Sequence, residues 1–289
     1  MGRVRKRSRT GRVPASAAAG RDPEGSAESA NRKLWADVHQ VARFQSAEGW
    51  IDRSERILLE RIRREYVHGD VLDIGVGGGR TVPLLNRGEG RYVGIDFVPE
   101  LINAARKRFP EVDLRVGDAR HLDFPDACFD VAVFSINGLD AVSHADRASA
   151  LREIRRVLRP GGAFVFSTHN SDGPGPHERP WGLPPMTVRQ PRSSARALLR
   201  RATRFQKSMK NYRASVAKRD IGPNWIVTGS GAHDFGLVVH YTTAPALEAD
   251  LRESGFTGPI ELWDDREGKP VGVARPQRRW WYFNVLARC

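Results

Sequence analysis

Only two cysteines occur in the 289 residues, Cys128 inside a strand-like run and Cys289 at the last position. Neither belongs to a metal-spaced pair or a disulfide framework. That argues against a cystine-stapled secreted scaffold, leaves no metal expected, and makes a reducing, cytoplasmic compartment the default. No apolar run reaches the roughly 18–20 residues a membrane span needs. The one apolar stretch of the basic N-terminus, residues 15–19, is too short and weak for a secretory signal. Residues 1–21 are Arg-rich and free of acids, as in an organelle transit peptide, but a plain basic arm describes them better. Residues 1–30 lack aromatics and, beyond Val4 and Val13, offer almost nothing bulky to bury. They are expected to be disordered.

What is abundant is positive charge, with a net value of +13. It is unevenly placed. Residues 1–33 carry nine Lys/Arg against three acids, and residues 187–220 carry eleven against Asp220 alone. The rest of the chain is slightly acidic, so the basicity sits in two separable segments. High pI by itself therefore does not argue for a nucleic-acid binder.

From Leu34 the apolar residues recur at three- and four-residue steps (Leu34, Val38, Val41, Phe44, then Ile57, Leu58, Ile62), which predicts a helical cap over 31–67. Short β-like runs then alternate with helical stretches. Strands are expected at 71–74, 91–95, 113–116, 131–135 and 163–168, with helices around 80–87, 99–109 and 145–158. Such alternation predicts an α/β fold with a mostly parallel sheet and right-handed crossovers. Six prolines between 171 and 192 break the rhythm. A helix over 193–218 and a Gly-containing connection over 219–237 complete an insertion, after which a strand (238–242), a helix (244–254) and two strands (259–263, 280–287) resume. The expected units are an arm (1–30), the cap (31–67), a cofactor-binding half (68–170), a lid insertion (171–237) and the C-terminal part of the sheet (238–289).

The strongest signal is Val71-Leu72-Asp73-Ile74-Gly75-Val76-Gly77-Gly78-Gly79-Arg80. An apolar strand runs into a glycine-rich turn that opens a helix, where the backbone can turn tightly and approach a ligand with no Cβ in the way. Three further features fall in register with it. Asp96 ends the next strand, 21 residues after Gly75, where a carboxylate accepts hydrogen bonds from both ribose hydroxyls of an adenosine. Asp118 follows the third strand, in reach of an adenine amino group. Ser135-Ile136-Asn137-Gly138 follows the fourth. All lie at the carboxyl edge of the strands, where open α/β sheets bind ligands. A nicotinamide-dinucleotide fold shares Asp96, but its fingerprint wants Gly where Arg80 stands, and it requires neither Asp73 nor Asp118.

This series, Asp-x-Gly-x-Gly, Gly-Ile-Asp, Gly-Asp-Ala, Phe-Asp-x-x-x-x-Ser and then Leu158-Arg159-Pro160-Gly161-Gly162, resembles the motifs of class I S-adenosylmethionine-dependent methyltransferases in their usual order. The resemblance covers about 68–170, more loosely 238–288. It implies a Rossmann-like, seven-stranded, mostly parallel sheet with helices on both faces, and S-adenosyl-L-methionine as cofactor. It also implies roles. Asp73 and Gly75 would lie near the methionine amino group, and Gly77 near the sugar. Asp96, with Phe97 beside it, would hold the ribose, Asp118 and Ala119 the adenine, and Ser135 and Asn137 the methionine side. In its C-terminal half the chain is similar to poorly characterised bacterial methyltransferases that share an Ala-His-Asp segment, a downstream His-Tyr and an aromatic final strand.

A hydroxyl acceptor must lose a proton as it takes a methyl group, which favours a general base. His169 directly follows the fifth strand and His233 falls where the insertion returns to the sheet, so these two are the expected catalytic pair. His144, Asp140 and His240 are the other ionisable groups near that edge. Trp35, Phe44 and Trp50 are candidates to roof the pocket. Leu198, Ala202, Phe205, Met209, Tyr212 and Val216 draw an apolar seam along the insertion helix, expected to pack on the core and close the acceptor pocket. The expected acceptor is a small molecule, taking the methyl on O or N, with a membrane-surface contact open to the basic helix. An RNA acceptor is the alternative. Against it, Ser135-Ile136-Asn137-Gly138 stands where base-amino methylation would place an Asn/Asp-Pro-Pro-Tyr/Phe sequence, and no specific nucleic-acid partner is expected.

Overall fold

The computed structural model describes residues 27–37, 51–87, 89–182, 195–273 and 276–289. Eleven strands form one sheet: β1 (Val71–Ile74), β2 (Tyr92–Asp96), β3 (Asp113–Val116), β4 (Phe129–Phe134), β5 (Leu158–Asn170), β6 (Asp220–Ile221), β7 (Trp225–Gly229), β8 (Val238–Thr242), β9 (Ile260–Trp263), β10 (Pro270–Val271) and β11 (Tyr282–Arg288). The main path runs β10-β9-β11-β5-β4-β1-β2-β3, while β8 leaves it at the C-terminal end of β5 and continues into β7 and β6. Of the eight expected strands, β8 is the one off this path; the other seven run β3-β2-β1-β4-β5-β11-β9. Their first five are mutually parallel, and β11 runs antiparallel to both β5 and β9.

Helices cover both faces. On one, α2 (Arg53–Glu65), the single turn α3 (Val82–Leu85) and α4 (Pro99–Arg108) bury Leu58, Leu59, Ile62, Val82, Leu85, Ile102 and Ala105 against β1, β2, β4 and β5. On the other, α5 (His144–Val157) and α7 (Ala244–Glu253) bury Leu151, Ile154, Val157, Leu247 and Leu251 against Phe164, Phe166 and Phe283. The starts of α2, α5 and α7 are set by side-chain caps. Asp52 accepts from the Glu55 amide, Ser143 from Asp146 and Thr243 from Ala246, each satisfying a donor the helix leaves open. Asp52 also accepts from Tyr282 Oη and Asn284 Nδ2, which ties α2 to β11.

Three expectations need correction. Helix α1 (Ala27–Trp35) begins inside the segment expected to be disordered, and residues 1–26 lie outside the described residues. It is held by Asn31, fully buried, which donates to the carbonyls of Ala141 and Val238 and accepts from the Val238 amide. The expected connection 219–237 contains the β6–β7 hairpin. The alternation of Trp225-Ile226-Val227-Thr228 pairs with β8 once a tight turn around Gly222 and Pro223 reverses the chain. Third, the helix α6 (Ala195–Ala217) turns its apolar seam only partly inward. Among its described side chains Ser208 and Ser215 are buried and Met209 and Tyr212 half-buried, whereas Phe205 and Val216 are 48% and 41% exposed; the Leu198 side chain lies outside the described ones. Ser208, Arg204 and Asn211 all hydrogen-bond Asp234, and this polar seat rotates the seam toward the flank.

Candidate active site

The strand ends converge on one edge. After β1, Gly75, Gly77 and Gly79 all have positive φ, a region L side chains rarely adopt. A Cβ at Gly75 would meet the Phe134 ring at 2.7 Å and one at Gly79 the Phe109 ring at 2.6 Å, whereas at Gly77 the nearest atom is 4.0 Å away. The first and third glycines thus serve internal packing, and the middle one opens onto space in front of the sheet.

Asp73 is wholly buried under this turn, with Tyr92 Oη and Thr81 Oγ1 both donating to its Oδ2. Its Oδ1 has no partner. Asp96 accepts from the amides of Gly77 (3.0 Å) and Val98 (2.8 Å), one on each oxygen. Burial pushes both carboxyls up to about 6, against the weaker pull of those hydrogen bonds. A ligand bringing hydroxyl donors or positive charge relieves that penalty, so the residues present suit a ribose diol and an ammonium group. Phe97 meets Trp35 edge-on at 5.6 Å, and Arg32 lies over its ring. Helix α1 therefore roofs the side of the site that Asp96 borders. Phe44 and Trp50 lie outside the described residues.

Other expected cofactor residues are already engaged. Asp118 accepts from the Arg120 amide and pairs with its guanidinium at 2.6 Å. Burial alone would raise its carboxyl, but the Arg120 hydrogen bonds outweigh burial and hold it below the ordinary range. Ala119 packs on the core. Ser135 is bonded to Arg80 and Glu55, which form a buried bidentate ion pair of 2.7 and 3.0 Å. The sequence had placed neither Glu55 nor Arg80 in the site. Ile136 and Asn137 are both left-handed, with φ of 49° and 53°. For a β-branched residue such as Ile136 this is strained, the kind of distortion that clusters at functional sites.

Beyond Asn137 the second half of the site is built around Asp140, which is fully buried. It accepts from Arg147 Nη1 (2.6 Å), Thr168 Oγ1 (2.7 Å), the His169 amide (2.6 Å) and His169 Nδ1 (2.8 Å). Burial opposes its ionisation, but Arg147 and His169 more than offset this and hold the carboxyl below its usual range. An ionised Asp140 fixes the His169 proton on Nδ1 and leaves a lone pair on Nε2. That atom lies 3.4 Å from Asn137 Nδ2, and the His169 side chain is 18% exposed. Tyr241 packs beside the His169 ring at 5.0 Å. Glu178, whose carboxyl burial pushes up, accepts from the Gly231 amide and is close enough to interact electrostatically with His169 and Tyr241.

His233 sits in the short 3-10 turn Gly231–His233. The carboxylate that orients His169 is Asp140, not a group contributed by that turn. His144 and His240 share a 3.0 Å contact and stack with Trp225, and burial pushes His240 down to about 3, so it stays a neutral packing element.

The sequence model of a family described as "Methyltransferase domain" matches residues 71–162. A probable S-adenosylmethionine-dependent methyltransferase of Mycolicibacterium smegmatis is 35% identical over 42% of this chain and 46% of its own. A phosphatidylethanolamine N-methyltransferase of Cereibacter sphaeroides is 38% identical over 37% and 54%. The chain thus spans about half the length of the curated relatives it matches. Among solved structures, the 1,6-didemethyltoxoflavin-N1-methyltransferase of Burkholderia thailandensis, with 1,6-didemethyltoxoflavin and S-adenosylhomocysteine bound, shares the fold. Its TM-score is 0.53 at 20% identity, over 90% of this chain and 87% of that one.

Proposed function

We propose that this chain, whose residues 71–162 match a methyltransferase domain, is a class I S-adenosylmethionine-dependent methyltransferase that methylates an oxygen or nitrogen of a small-molecule acceptor. S-adenosylmethionine supplies an electrophilic methyl group on a sulfonium, so the protein's work is alignment and proton handling. The observation that carries the reading is one strand edge with a cofactor seat at Asp73, Gly77 and Asp96, and a carboxylate-oriented histidine at its other end. Asp96 would hold the ribose hydroxyls and Asp73 Oδ1 the methionine ammonium. His169 Nε2 would take the proton that an acceptor hydroxyl or ammonium gives up, with Asp140 stabilising the imidazolium. Glu178 and Tyr241 would border the acceptor.

Relatives named for a phospholipid headgroup and for a small heterocycle support a small or lipid-borne acceptor rather than a macromolecular one. The test is transfer from methyl-labelled S-adenosylmethionine to a panel of hydroxyl and amine acceptors, compared with bulk RNA. The reading expects label on at least one small acceptor and its loss in His169→Ala. Label on RNA alone would overturn it.

A further inference from the structure

Helix α6 carries seven Lys/Arg and no acid along Ala195–Ala217. Its seam is only partly covered: Met209 and Tyr212 are half-buried, with Tyr212 meeting the buried Phe235 ring at 5.2 Å. Phe205, Met209, Tyr212 and Val216 follow one another at steps of four, three and four residues and so share a stripe. Phe205 and Val216 are 48% and 41% exposed, and Trp181, 66% exposed, meets the edge of Tyr212 at 5.9 Å. Arg213, four residues after Met209 and three before Val216, borders the stripe directly, and Lys207 and Lys210 continue the cationic side; all three are exposed. Among the described side chains of the helix, only Ser208 and Ser215 are fully buried.

We propose that this stripe, with Trp181 and the flanking cations, docks on the surface of an anionic lipid bilayer. The pairing of the two chemistries selects that partner. A polyanion in water rewards only the cations and, if single-stranded, the aromatic faces. It gains nothing from Val216 or from the aliphatic length of Met209. The bilayer interface rewards both, since apolar groups enter the headgroup–acyl boundary while Lys and Arg meet anionic headgroups. An indole and a phenol beside the stripe suit that same level of the membrane. No described helix is long and apolar enough to cross a membrane, so the contact is peripheral. The inference does not depend on the methyl-transfer reading.

The experiment is sedimentation of the full chain with vesicles of phosphatidylcholine alone or with about 30% phosphatidylglycerol, at about 0.1 M salt. The expected result is about a hundredfold or more stronger binding to the anionic vesicles. Lys207→Gln, Lys210→Gln and Arg213→Gln together should lower it about a hundredfold, at about fivefold per charge. Phe205→Ser with Val216→Ser should lower it about tenfold at unchanged charge. A Phe205→Trp variant, which asks little of the fold, should gain a blue-shifted emission component on anionic vesicles and none on polyuridylate. Equal binding to both vesicle types, or a serine double variant that binds like wild type, would overturn the proposal. So would polyuridylate that binds more tightly than the vesicles and displaces them.

Discussion

At the edge of this sheet Asp73, Asp96 and Asp140 are all buried, yet they ionise in opposite directions. Burial pushes Asp73 and Asp96 up to about 6: the donors that bond them are neutral, a hydroxyl pair for one and two backbone amides for the other, and the pull of Arg80 on Asp73 does not offset burial. Asp140 pays the same desolvation but meets the Arg147 guanidinium and four donors in all, and is held below the ordinary range. The counter-charge, more than the depth, decides the direction. On the proposed reading, the Asp73–Asp96 side is left electrostatically incomplete, to be finished by the cofactor. The Asp140 side is finished already, its carboxylate committed to holding one histidine.

The largest effects should come from breaking the finished side. Asp140→Ala strands Arg147 in the interior, which costs about 3–5 kcal/mol and should lower the melting temperature by roughly 10 °C. Asp140→Asn keeps the shape but loses the charge that fixes the His169 tautomer. Turnover of whichever acceptor the panel identifies should fall by about 10²–10⁴-fold if His169 is the base.

The unfinished side should reveal itself through pH. The folded chain binds a proton at Asp73 and Asp96 more tightly than the unfolded chain does. Their contribution to stability is therefore fully present below the ordinary value of 3.8 and is lost as pH rises through about 6. Cofactor binding uses the ionised carboxylates and runs the other way. The melting-temperature gain on adding S-adenosylmethionine should be larger at pH about 7.5 than at about 5, with affinity about tenfold weaker at the lower value for each carboxylate that must ionise. A gain independent of pH would mean that neither carboxylate is completed by the ligand.

Smaller effects sharpen the contrast. Asp118→Ala should weaken cofactor binding by about threefold at most, because Arg120 already engages that partly exposed carboxylate. Phe205→Ser should change unfolding free energy by no more than about 0.5 kcal/mol, because the side chain is largely in solvent.

The strand, turn and acids of the proposed cofactor seat were legible because their signals are local. A strand, a glycine turn and an acid at the end of the next strand can be read within a few tens of residues. The acceptor side was half legible. His169 stood out by its place after the fifth strand, but its partner Asp140 lies 29 residues earlier, and His233 was paired with it on position alone. Glu55 and Arg80 meet across 25 residues, and Ser135 joins them from 55 residues further on, a distance that no periodicity reports. The available hint was Asp52-Arg53-Ser54-Glu55, a capping pattern that fixes where Glu55 falls in the first turn of α2. On α6 the periodicity correctly found a stripe, but it could not say which way the helix turned. Asp234, engaged by three side chains of the helix, decided that.

The most direct measurement of the central claim is calorimetric titration of S-adenosylmethionine into wild type, Asp96→Ala and Asp140→Asn. If one edge of the sheet is divided into a cofactor seat and a separate acceptor base, Asp96→Ala removes charge-assisted hydrogen bonds worth about 1.5–3 kcal/mol and weakens binding about tenfold or more. Asp140→Asn should then stay within about twofold of wild type, a change of less than 0.5 kcal/mol. Unchanged affinity in a folded Asp96→Ala, or a loss in Asp140→Asn as large as that in Asp96→Ala, would contradict the division.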